Sequence, residues 1–91
     1  MIEGTTLVVA TRSGSTYTFT IGGPRYGTLG GGKLALPTLA LFVGSQSDDA
    51  DELVDHAAIV VGSRARFLCP LVGEIVTTPV VCIDVAGDVA A

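Results

Sequence analysis

The stretch that decides the fold is Ile59–Val85, IVVGSRARFLC followed by PLVGE and IVTTPVVCIDV. Two runs rich in β-branched residues flank a short segment carrying Pro70 and Gly73. In the first run Arg64 and Arg66 alternate with Ala65, Phe67 and Cys69, the period of a strand with one wet face. In the second, Val81, Ile83 and Val85 fall on one face, and Val80, Cys82 and Asp84 on the other. Pro79 has no N–H to give to a ladder, which places it at a bulge, an edge or a strand start. The stretch predicts a hairpin that closes a small antiparallel sheet.

Outward from it, the chain's opening repeats the pattern. Thr5 to Thr11 (TTLVVAT) and Ser15 to Ile21 (STYTFTI) are β-rich runs on either side of Arg12-Ser13-Gly14. Tyr17, Phe19 and Ile21 alternate with Thr16, Thr18 and Thr20, so this pair predicts a second hairpin. Gly22-Gly23-Pro24 ends the strand, and Arg25 to Leu29 returns as a third. Gly30-Gly31-Gly32 predicts a flexible tip. Leu34–Leu36 and Leu39–Val43 read as one strand that bends at Pro37 and ends at Gly44.

Ser47 to Ala58 changes character. Asp48, Asp49, Asp51 and Glu52 gather at its front, where carboxylates stabilise a helix N-terminus. Ala50, Leu53, Val54, Ala57 and Ala58 follow the spacing of a buried helical stripe, with Ser47, Asp48 or Asp49 as N-cap. One short helix near residues 48–58 is the expectation, against an acidic loop. Residues 86–91 lack a pattern and read as a frayed tail.

Ninety-one residues make one small domain, spanning residues 1–91. A chain of this size buries only about 60–65% of its unfolded surface. Yet 48% of its residues are hydrophobic and 15% charged, which is little charge for a surface-dominated monomer. Some apolar surface is therefore expected to be covered by a protein partner, through self-association or a larger assembly. The net charge of −4, with only five basic residues, argues against a phosphate-rich partner such as nucleic acid. The most apolar run, Leu34 to Val43, is half the length of a membrane-spanning helix and is interrupted by Pro37. The opening MIEGTT carries no basic or apolar signal region, so a cytoplasmic location is expected, or a virion if the origin is phage. Cys69 and Cys82 sit in opposite arms of the closing hairpin; without a signal peptide, buried free thiols are favoured over a disulfide.

Few residues offer chemistry. Gly27-Thr28-Leu29-Gly30-Gly31-Gly32-Lys33 fits the spacing of a phosphate-binding loop, in which glycine N–H groups and a lysine hold phosphates. Leu34 stands where a Ser or Thr must follow and Pro37 blocks the helix, so a glycine-rich hairpin tip is the better reading. The acidic run Asp48-Asp49-Ala50-Asp51-Glu52 lacks the turn glycine of a calcium loop. His56 is adjacent to Asp55, and neighbours on a helix point apart, so they do not form an oriented base. No cofactor, metal or small-molecule substrate is expected. Arg12, Arg25, Arg64 and Arg66, with Tyr17 or Tyr26, form a candidate basic patch that would neutralise and stack single strands. The plainer reading is long charged side chains covering an exposed sheet face.

Gly4-Thr5, Leu7-Val8-Val9, Thr11-Arg12 and Ser15 with Tyr17 form an opening phrase, and Gly44-Ser45 falls mid-chain. Ile59, Gly62 and Arg64 precede the close, Ile75-Val76-Thr77-Thr78-Pro79-Val80 with Ile83 and Val85. Together these resemble a group of short, uncharacterised bacterial proteins that are expected to be small all-β domains. The resemblance spans most of the chain and implies fold rather than activity. Two features depart from it: Gly14 is an extra residue in the first hairpin, and the acidic insert Asp48 to Ala58 replaces a glycine-rich link.

The expected fold is all-β: a small antiparallel SH3-like barrel or sandwich of five to six strands, with at most one short helix. Closing such a sheet removes edges that invite aggregation. The expected function is that of a non-enzymatic interaction module, oligomerising or docking on a larger complex such as a phage particle or regulatory complex. Leu34, Leu36, Leu39, Leu41 and Phe42 are its candidate interface. A nucleic-acid-binding barrel using the four arginines is the alternative, and a metal-binding or enzymatic role around His56 the third.

Overall fold

The computed structural model describes residues 3–32, 34–47, 53–55 and 58–86. These residues form eight strands: β1 (Thr6–Thr11), β2 (Thr16–Ile21), β3 (Tyr26–Gly31), β4 (Thr38–Gln46), β5 (Leu53–Asp55), β6 (Arg64–Cys69), β7 (Gly73–Val76) and β8 (Val80–Ala86). All pairings are antiparallel, in the order β7-β6-β4-β3-β2-β1-β8, with β5 added to β4. The all-β class is as the strand periods predict. Among the described residues no helix is long and apolar enough to cross a membrane.

The first hairpin, β1–β2, folds where the alternation places it; of the closing hairpin only Gly73–Val76 pairs with β6, and the rest of its second arm, β8, pairs instead with β1. In β2 Tyr17, Phe19 and Ile21 are buried and the three threonines exposed. In β6 Ala65, Phe67 and Cys69 are buried, while Arg64 and Arg66 lie half-buried on the outer side. Phe67 packs its ring against Phe19 at 5.1 Å and Phe42 at 5.5 Å, both tilted, an arrangement aromatic quadrupoles favour. Around these rings gather Val9, Leu29, Ala40 and Val80.

Several expectations need correction. The strand count is eight rather than five to six, because residues 53–55 pair and the closing run splits at Thr77–Pro79. The helix expected near residues 48–58 is absent where that segment is described: Leu53–Asp55 is strand, with Asp55 opposite Ser45 and Leu53 opposite Gln46. β3 leaves β4 at Leu41, so the edge beyond is open, and its unpaired backbone groups outweigh a weak helical preference. Residues 48–52, 56 and 57 lie outside the described residues, as do Lys33 and 87–91, which hold all of the expected tail except Ala86.

The glycine triplet is no loose tip. Gly30 and Gly31 pair with Thr18 and Tyr17. At Gly31, φ is +84° and a Cβ would stand 2.3 Å from the Thr16 carbonyl oxygen, so the strands approach too closely for a side chain. Finally, β4 begins only after Pro37 and runs past Gly44 to Gln46, crossing a bulge between Phe42 and Gly44.

Pro79 stands immediately before the first residue of β8, a strand start, and a bulge within that strand divides its two expected faces. Val80 sits opposite Thr11 but Cys82 opposite Ala10, leaving Val81 as the extra residue. Val80 therefore points inward from one expected set and Ile83 from the other. Val80 also ties the β8 end of the strand path to the segment just before β6. Its N–H donates to Ser63 O (2.9 Å) and its carbonyl accepts from Gly62 N–H (2.7 Å).

Candidate interaction surface

The outer face of the sheet divides in two. Over β1–β3 it is hydroxyl-bearing: Thr6, Thr20 and Thr28 stand in one cross-strand row, and Thr6 Oγ1 meets Thr20 Oγ1 at 2.9 Å. That row ends at Leu39 on β4. From there the face is apolar. Tyr26, Leu41 and Leu68 form the adjacent row across β3, β4 and β6, and Glu74 on β7 closes it. Tyr26 is 46% exposed, Leu41 40%, Leu68 48% and Leu39 53%, so four neighbouring large side chains share one uncovered patch. A shallow groove of about 320 Å³ runs over it, lined by Tyr26, Leu39, Ala40, Leu41 and Pro70.

A second groove of about 370 Å³ lies between residues 34–38 and the β6–β7 turn at Leu71 and Val72. Leu36 and Leu71, on its two lips, are the most exposed large apolar residues described. Charge is confined to the rim. Arg66 Nε donates to Glu74 Oε2 at 2.5 Å, and Arg66 Nη1 reaches Gln46 Oε1 at 3.4 Å.

Of the expected interface, Leu36, Leu39 and Leu41 are exposed. Phe42 is not: it is 2% exposed and belongs to the core, because strand alternation turns it opposite to Leu41. Leu34 packs partly against the core. Leu68, Leu71 and Pro70 also belong to this surface, although none stands in the expected interface. Leu68 occupies the face that Arg64 and Arg66 mark as wet, and its signal was the break in that polar alternation.

The four arginines do not gather into one patch. Arg12 lies in the β1–β2 turn, its N–H bonded to Pro79 O, whereas Arg25 sits in the β2–β3 turn, its carbonyl accepting from Phe42 N–H. Those turns cap opposite ends of β2, roughly 20 Å apart. Arg64 and Arg66 do share the outer face of β6, where Arg66 is engaged by Glu74.

Cys69 and Cys82 are both free thiols, the first buried, the second exposed. Burial pushes the Cys69 thiol above its ordinary value. Cys82 Sγ lies 3.8 Å from Asp84 Oδ2 on the exposed strand β8. Among the described residues no three His, Cys, Asp or Glu side chains assemble as a metal site; His56 and the acidic run 48–52 fall outside them.

Hydroxyls that the sequence did not single out tie the two hairpins together. Thr78 Oγ1 accepts from Ser13 N–H (3.1 Å) and lies 3.1 Å from Ser13 Oγ. Thr77 Oγ1 accepts from Ala65 N–H (3.0 Å) and donates to Thr78 O (2.7 Å). Compared with protein-family models, with curated proteins and with solved structures, the chain matches none.

Proposed function

We propose that this chain is a non-enzymatic assembly module that docks on a protein surface through the apolar half of its outer sheet face. The observation that carries this reading is the uncovered Tyr26–Leu41–Leu68 row with Leu39 beside it, on a chain with little charge. Large contiguous apolar patches on small domains are the mark of protein contact sites. The rim pair Arg66–Glu74 supplies the polar border that such sites have.

The finer fold reading is a small barrel of SH3-like type. Its support is the bridge at Val80, which bonds to Ser63 on one side while sitting opposite Thr11 on the other. Such a barrel is what the resemblance to short bacterial all-β proteins implies, and it would suit a unit built into a larger particle or complex.

Site-specific photo-crosslinking in the native cell tests the proposal. A photoreactive residue at position 41 should give an adduct of defined mass, whereas the same probe at Thr18, on the hydroxyl half, should not. Equal labelling at both positions, or none at 41, would sink it.

A further inference from the structure

We infer that the free edge of β8 is a self-association site, on which two copies of this chain pair antiparallel about a two-fold axis at Ile83. The inference is independent of the outer-face reading above. Among the described residues β8 beyond Val80 is bonded on one side only, to β1, and ends the strand path. Edge strands are ordinarily blunted by lysine, proline or inward charge. Residues 81–86 of β8 carry none of these, and Asp84, their one charge, is exposed. At Val81 the bulge affects the ladder to β1, while residues 82–86 run in regular register.

The core beneath this edge is incompletely covered. Ile83 is only half-buried although it packs on the core, and Leu7, opposite Val85, is half-buried too. Val81 is 54% exposed and Val85 68%, on the same side of the strand as Ile83. A strand added at this edge would cover Val81, Ile83 and Val85.

The residue pattern is self-matching for a second copy as that strand. With the axis at Ile83, Val81 faces Val85 of the second copy and Cys82 faces its Asp84. No like charges then stand opposite one another, although the chain as a whole is acidic. The competing edge, β7, has four residues and its Glu74 is held by Arg66. Pairing of β8 with β7 would be head-to-tail and would build a ring or a filament rather than a two-fold dimer.

Light scattering on the purified chain with charge-placed variants decides it. Wild type should have twice the chain mass at high concentration. Val81→Lys/Val85→Lys sets lysine against lysine and should give half the wild-type mass. Val81→Asp/Val85→Lys sets opposite charges together and should restore the dimer. Because all these positions are exposed, circular dichroism should stay that of wild type.

As an independent readout, Asp84→Cys oxidised with copper phenanthroline should form a covalent dimer through Cys82 and the new thiol of the second copy. A monomeric wild type, mass growth beyond two, a double-lysine variant that stays dimeric, or no crosslink in folded Asp84→Cys would overturn the inference. With the photoreactive residue kept at position 41, Leu39→Ser/Leu68→Ser should lose the outer-face crosslink yet keep this dimer, so the two surfaces fail separately.

Discussion

At the level of single residues, one buried hydroxyl is a misfit among the described residues. Thr38 is buried and its Oγ1 has no hydrogen-bond partner among the described residues. A buried hydroxyl left unsatisfied costs about 1–3 kcal/mol, and valine keeps its shape and its preference for a strand. Thr38→Val should therefore raise stability by about 1 kcal/mol, read as a higher urea midpoint at unchanged slope; a fall in the midpoint would contradict the assignment. The two thiols should separate just as clearly. Cys82 should react with a disulfide reagent in the folded state and Cys69 only on unfolding. Since burial raises the Cys69 pKa, above about pH 8.5 the unfolded chain loses a proton that the native chain keeps. Stability should thus be unaffected by this group below that pH and decline as pH rises toward the native value. Cys69→Val should flatten that decline, measured as urea midpoints on both sides of about pH 8.5.

At the level of elements, glycine shows what alternation leaves unsaid. Gly14 and Gly31 both have positive φ, +91° and +84°. A Cβ at Gly14 would meet open space, whereas at Gly31 it would run into the Thr16 backbone. Gly14→Ala should cost about 1 kcal/mol from backbone strain, and Gly31→Ala considerably more, because β2 and β3 must part. Thermal melts of the two variants check the order. The strands themselves were legible because one wet and one dry face leave a period of two in β2 and β6. What lay hidden were features set by distant neighbours. Leu53–Asp55 became strand because β4 offered an open edge there, and no local signal reports that. The bulge at Val81 exchanged the two faces of β8 for the same reason. Half of the apolar surface was visible, since Leu36, Leu39 and Leu41 stand in the most apolar run. Leu68 and Tyr26 joined them only through cross-strand register, which a linear reading does not contain.

The molecule as a whole is held by a seam between its two ends. β1–β2, β2–β3 and β6–β7 are hairpins with short loops, so each closes at small entropic cost. The β1–β8 ladder instead joins residues 6–11 to residues 80–86. Such distant pairing rewards the chain only after everything between is in place, so folding should take milliseconds to seconds. The seam should also form late. Val80 is 1% exposed and ties β1 to Ser63 across it, whereas Phe19 lies within the first hairpin and touches Phe67. Val80→Ala should destabilise by about 2 kcal/mol, chiefly by faster unfolding with refolding little changed. Phe19→Leu should slow refolding instead, because the ring helps to join the first hairpin to the second. Stopped-flow chevrons of the two variants separate these effects. Were Val80→Ala to slow refolding as much as Phe19→Leu, the seam would belong to the nucleus and the two ends of the chain would have to meet first.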